Sequence, residues 1–270
     1  MNAIDKRFGT LAKEKRAAFI PFLTAGDPSL DDTRRLILAS EKAGADLIEL
    51  GFPFSDPVAD GATIQASYTR VLQRAQRSSD VYSMVKDLRK ESNIPIIAMI
   101  SYSLVFKQGA EGFIRNALDA GIDGATIPDL PIEEAGELLE AAGAAGFRFI
   151  CFATPLTTPE RRAIIAKHAG GFIYYISVAG ITGARTELPP DLVQHIDELR
   201  RLTPVPIAVG FGVSTPGHAE AVATHAEGVI VGSAIVRRIS EAADKGLDVV
   251  EEVIPFISKL AEATKAARKA

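Results

Sequence analysis

Two carboxylates are the residues best placed by type and spacing to do chemistry. Glu49 stands near the C-terminal end of the run Asp46-Leu47-Ile48-Glu49-Leu50-Gly51, and Asp60 follows in Phe52-Pro53-Phe54-Ser55-Asp56-Pro57-Val58-Ala59-Asp60-Gly61. If the run is a barrel strand with Ile48 and Leu50 facing the helices, period-two alternation turns Leu47 and Glu49 inward. An inward carboxylate among apolar neighbours carries a desolvation cost unless it is paired or protonated, so its pKa rises. That suits a general acid–base group, and a second carboxylate in a different environment can take a separate part of the task. Each also has a plainer reading: Glu49 as an ion-paired structural residue, Asp56 and Asp60 as turn formers before Pro57 and Gly61.

Glycines near the C-terminus form a second constellation. Val209-Gly210-Phe211-Gly212-Val213-Ser214 follows one candidate strand, and Val229-Ile230-Val231-Gly232-Ser233-Ala234-Ile235 carries the next strand into a short helix. Such glycines let backbone N–H groups approach an anion, and a helix starting at Ser233 adds its dipole and a hydroxyl. Phosphate sites recur after strands 7 and 8 of (β/α)8 barrels. A further run, Ala179-Gly180-Ile181-Thr182-Gly183, could close over the same anion.

Other chemistries find fewer residues. No Lys stands at a strand's C-terminal end to form a Schiff base. The four His (His168, His195, His218, His225) fall in helix-like stretches without a strand-end cluster, so no metal site is expected. Cys151, the single cysteine, sits in Phe149-Ile150-Cys151-Phe152 and reads as a small buried hydrophobe.

The elements that must position these groups are legible as repetition. The 270 residues fit one barrel domain spanning 1–270. Eight short apolar runs read as strands: 18–23, 47–50, 94–100, 125–127, 147–153, 172–178, 206–209 and 228–231. Amphipathic helical stretches separate them. Ser29-Leu30-Asp31-Asp32 and Pro131-Ile132-Glu133-Glu134 carry helix-start signals, and Ala43-Gly44, Ala120-Gly121 and Ala145-Gly146 read as helix ends. Residues 1–15 read as an extra helix closing the barrel bottom. The stretch from Gly51 to about Ser78 is far longer than the usual βα loop of about 2–6 residues, which marks a functional segment.

A net charge of −4 gives no reason to expect a nucleic-acid or anionic-membrane partner. The charged N-terminal stretch lacks a signal-peptide core, and no apolar run approaches the roughly 20 residues of a membrane span, so a cytoplasmic location is expected.

The runs Phe19-Ile20-Pro21-Phe22-Leu23-Thr24-Ala25-Gly26-Asp27-Pro28 and Glu49 to Gly61, with Asp129-Leu130-Pro131, Gly180-Ile181-Thr182-Gly183 and Gly210-Phe211-Gly212 in order, resemble the tryptophan synthase alpha subunit family. The resemblance covers essentially the whole chain. It implies a (β/α)8 TIM barrel with long loops after strands 2 and 6, and retro-aldol cleavage of indole-3-glycerol phosphate to indole and glyceraldehyde 3-phosphate. It implies Glu49 and Asp60 as catalytic residues. Phe22, Ile100, Tyr102, Ile127, Tyr175 and Thr182 would contact the substrate; Gly183, Phe211, Gly212, Gly232 and Ser233 would hold its phosphate. No cofactor is implied on this chain. The implied partner is a beta subunit that carries pyridoxal phosphate, in an αββα heterotetramer. Ala62 and Val178 depart from the Pro and Arg that many members carry. A stand-alone lyase and a catalytically silent, partner-binding barrel are the alternative readings.

Overall fold

The computed structural model describes residues 1–57, 60–177, 191–210 and 212–267. Strands β1 (Ala18–Thr24), β2 (Ile48–Gly51), β3 (Ile96–Met99), β4 (Gly124–Thr126), β5 (Arg148–Phe149), β6 (Cys151–Ala153), β7 (Ile173–Ile176), β8 (Ile207–Gly210) and β9 (Gly228–Val231) are all parallel to their neighbours. Their order, β5-β4-β3-β2-β1-β9-β8-β7-β6, ends on two pieces of one strand. Ile150 between them still donates its N–H to Ala125 (2.9 Å), so β5 and β6 occupy one barrel position and the sheet closes on itself. The fifth predicted strand is therefore two ladders, one facing β4 and one facing β7.

Helices fill the connections: α1 (Ala3–Lys13), α2 (Leu30–Lys42), α3 (Ala62–Leu72), α4 (Ser78–Leu88), α5 (Tyr102–Phe106), α6 (Ala110–Ala120), α7 (Gly136–Ala145), α8 (Pro159–His168), α9 (Leu192–Leu202), α10 (Pro216–His225), α11 (Ser233–Asp244) and α12 (Val249–Ala266). The predicted caps are present. The Ser29 side chain accepts from Asp32 N–H at the start of α2, while α6 and α7 end on left-handed Gly121 and Gly146. Pro131 opens a short 3-10 turn, Ile132–Glu134, before α7 rather than α7 itself.

Period-two alternation divides the core into two layers. Phe19, Leu23, Ile48, Leu50, Ile96 and Ala98 pack outward against the helices. Ala18, Ile20, Leu47, Ile97, Ile150, Phe172, Tyr174, Ala208 and Ile230 fill the interior, where Ile4, Phe8 and Leu11 of α1 join them. Thus α1 plugs the N-terminal end of the barrel, with Phe8 stacked on Phe172 at 5.6 Å. Buried Asp46 locks this end: it takes both Arg16 guanidinium nitrogens at 3.0 Å and the Phe19 N–H at 3.0 Å, and Arg7 stands 3.2 Å away. With the bottom closed, the opposite end is the accessible one.

The predicted second loop is shorter than expected. Residues 62–72 of it are helix α3, whose buried face, Ile64, Ser67, Tyr68 and Val71, has helical spacing. Ala62 takes the first helical position, where Pro would also be accommodated. The segment expected as a long sixth loop falls largely on residues 178–190, outside the described residues.

Candidate active site

Glu49 is turned into the barrel by the alternation of β2, level with Phe22 on β1 and Ile97 on β3. It is 2% exposed, and its Oε1 has no hydrogen-bond partner. Burial pushes its carboxyl up to about 8; the negative charge of Asp60 adds to the rise, and the Tyr174 hydroxyl opposes it by bonding the carboxylate. Tyr174 reaches Glu49 from β7 across the barrel, its ring packed on Phe152 at 4.9 Å. Gly210 makes room for it: a Cβ there would meet the Tyr174 hydroxyl at 2.7 Å.

Asp60 comes from the loop between β2 and α3. Its N–H donates to Pro57 O (3.0 Å), and the Gln65 side-chain amide donates to Asp60 O (2.7 Å) and Pro57 O (3.2 Å). The helix behind this loop is anchored to the first strand's loop: Arg70 holds Asp27 through two hydrogen bonds (3.1 and 2.6 Å), and Ser67 meets Thr24 at 2.7 Å. Burial pushes Asp60 up to about 6, with the charge of Asp129 contributing. Asp129 in turn accepts from Ser101 Oγ (2.6 Å) and Tyr102 N–H (2.8 Å). A small cavity of about 20 Å³ lies here, lined in part by Phe52, Phe54, Asp60, Tyr68, Met99 and Asp129. Two carboxylates on separate segments therefore titrate about two units apart, which is the arrangement that divides acid from anion roles near neutral pH.

A third group of residues lies on the same rim. Gly212, with φ +85°, follows β8 in a conformation that favours glycine. Gly232 caps α11, so Ser233 occupies the first helical position; Ile235 N–H already donates to Gly232 O (2.8 Å), and the helix start presents the N–H groups of Ser233 and Ala234 and its dipole towards an anion. Among the described residues no group of three or more His, Cys, Asp or Glu is arranged to hold a metal.

The profile of the family described as tryptophan synthase alpha chain matches residues 8–265. The chain belongs to that family. The tryptophan synthase alpha chain of Thermoanaerobacter sp. is 43% identical over 262 residues, covering 97% of this chain and 99% of the relative. Among solved structures, the tryptophan synthase alpha subunit of Legionella pneumophila superposes with TM-score 0.90 at 35% identity, covering 98% of each chain. A chain of the tryptophan synthase a2b2 complex of Pyrococcus furiosus gives TM-score 0.85 at 36% identity, covering 92% of this chain and 99% of that one.

Within this tryptophan synthase alpha chain barrel, the structure brings Glu49, Asp60, Phe22, Gly212, Gly232 and Ser233 to the C-terminal rim. Of four other predicted contacts, Ile100 borders the cavity beside Asp60 and the remaining three do not line it. Tyr175 faces the helices: its hydroxyl meets His195 Nδ1 of α9 at 2.7 Å, and Tyr174 takes the inward place. Ile127 packs outward and lines a separate cavity of about 310 Å³ with Ile132, Phe149 and Cys151. Ile100 borders the cavity beside Asp60 but packs with the outward layer, and Met99 is the inward residue. Tyr102 opens α5 and stacks on Phe106 at 6.0 Å, against the outward layer. On β7 and β3 the inward residues, Tyr174 and Met99, stand one position before the predicted Tyr175 and Ile100. Thr182, Gly183 and Phe211 lie outside the described residues. Cys151 is a buried core thiol, pushed up to about 12 by desolvation.

Proposed function

We propose that this chain is a single-domain, cytoplasmic carbon–carbon lyase that cleaves indole-3-glycerol phosphate to indole and glyceraldehyde 3-phosphate, as the alpha subunit in L-tryptophan biosynthesis. The observation that carries the reading is the buried Glu49, raised to about 8, facing Asp60, raised to about 6, at the rim of a family barrel. At pH 7 Glu49 holds a proton and Asp60 is charged. Glu49 donates its proton to indole C3, and the carboxylate of Asp60, bonded to the ring N–H, stabilises the resulting cation. The Glu49 carboxylate then takes the proton of the side-chain hydroxyl next to the ring. The C–C bond breaks, its electron pair restores the ring double bond, and the hydroxyl carbon becomes the aldehyde. Glu49 ends protonated, ready for the next turnover.

Phe22 and Met99 would wall the flat ring, and the phosphate would sit on Gly212, Gly232 and Ser233, with Gly183, Thr182 and Phe211 completing the site. The chain would carry no cofactor of its own. Its partner would be a beta subunit that carries pyridoxal phosphate in an αββα assembly, docked against the loops around Asp56 and Pro57, as an a2b2 complex is the state of the Pyrococcus furiosus relative. Purified chain given indole-3-glycerol phosphate should release indole and glyceraldehyde 3-phosphate in equal amounts, and a cognate beta subunit should raise the initial rate. No indole under either condition would refute the lyase reading; a rate unchanged on titration would refute the partner.

A further inference from the structure

Tyr68 takes no part in the reaction as derived above, yet it stands at its centre. α3 turns Ile64, Ser67, Tyr68 and Val71 to the interior, and the Ser67–Thr24 and Arg70–Asp27 bonds fix the helix on either side of it. The ring is 3% exposed, packed with Phe22, Ile64, Met99 and Val236. Its hydroxyl lies over Gly51, where a Cβ would come within 2.7 Å of it. Gly51 ends the strand that carries Glu49, and Tyr68 shares the wall of the small cavity with Asp60. A phenol on an anchored helix thus stands beside the strand that carries Glu49 and on the cavity wall it shares with Asp60.

Burial, the charge of Asp60 and then that of Glu49 hold this phenol well above its ordinary value. It is a neutral O–H donor throughout the working range. Of the other titratable groups around the rim, Asp129 raises Asp60 further, and Tyr174 is already bonded to Glu49.

We propose that Tyr68 is a positioning residue for the cleavage: in the substrate-loaded site its hydroxyl donates to the Asp60 carboxylate and keeps it aimed at the ring nitrogen. The inference rests on the lyase reading above. A donor bonded to a charged carboxylate favours the anion and opposes the burial and Asp129 effects on Asp60.

The test is Tyr68→Phe, which keeps the packed ring, read by indole release across the pH range. The acid limb of kcat, which reports the substrate-loaded site, should lie about one unit higher in the variant than in the wild type. kcat should fall about tenfold while KM changes less than about twofold, the pattern of an interaction made in the transition state. An unmoved acid limb with unchanged kcat overturns the inference. Should the variant not fold, a ring-fluorinated tyrosine placed at 68 alone, an isosteric and stronger donor, is expected to move the limb down, and no movement overturns the inference. A wild-type chain that releases no indole overturns the lyase reading and this inference together; an active wild type with an indifferent Tyr68→Phe overturns this inference alone.

Discussion

Glu49→Gln should stabilise the folded chain more as the pH rises. The folded carboxyl titrates at about 8 against an ordinary 4.5, a rise of about 3.5 units caused first by burial and then by Asp60. A raised carboxyl binds more protons folded than unfolded, so folding is unpenalised below the unfolded value and increasingly penalised as pH climbs through 4.5 towards 8. At about 1.4 kcal/mol per unit, the penalty is about 1 kcal/mol at pH 5, about 3 at pH 7 and nearly 5 at pH 9. Gln removes the titration and adds a pH-independent offset from its buried amide. The stability difference between variant and wild type should therefore grow by about 4 kcal/mol between pH 5 and 9. Urea unfolding of both proteins at pH 5, 7 and 9 measures it directly. A difference independent of pH would mean that Glu49 is not held protonated by burial, and the acid role assigned to it would fail. The same variant should release no indole, so a group that destabilises the fold at alkaline pH is also one the reaction needs.

Tyr174→Phe removes the hydroxyl that favours the charged form of Glu49, so the basic limb of the pH–rate profile should rise above about 8. Tyr175→Phe, losing only the 2.7 Å bond to His195, should leave kcat within about twofold and cost about 1 kcal/mol in thermal unfolding. Gly51→Ala would set its Cβ 2.4 Å from Phe22 Cζ and 2.7 Å from the Tyr68 hydroxyl. It should destabilise by about 1–3 kcal/mol and depress cleavage, read by unfolding and indole release. Asp46→Asn takes the buried carboxylate from Arg16 and Arg7 and leaves Arg16 with Glu14 alone, and should cost about 1–3 kcal/mol in urea unfolding.

The barrel and Glu49 were legible because polarity contrast marks them, whereas Asp60, in a loop with Asp56, was singled out by its pairing with Glu49 and by the family resemblance. Glu49 is the one charge inside an apolar run, so its phase against Ile48 and Leu50 could be counted, and the phase holds. The same contrast showed α1 through Ile4, Phe8 and Leu11. Strands buried on both faces offer no such mark. Phe172-Ile173-Tyr174-Tyr175-Ile176 is bulky throughout, so Tyr174 and Tyr175 cannot be told apart without knowing which faces the interior. Ile96-Ile97-Ala98-Met99-Ile100 hides Met99 behind Ile100 for the same reason. Tyr68 was missed because a long connection was read as loop, although Ile64, Ser67, Tyr68 and Val71 carry helical spacing within it. Asp129 joins the site through Ser101 and the Tyr102 N–H, contacts between distant segments that spacing does not encode.

The measurement that bears most directly on the central claim is kcat/KM for indole release from indole-3-glycerol phosphate as a function of pH. With Asp60 needed as the anion and Glu49 as the acid, the profile should be a bell with limbs near 6 and 8. Asp60→Asn and Glu49→Gln should each abolish the activity. A rate that keeps rising through pH 8, or one indifferent to both substitutions, would contradict it.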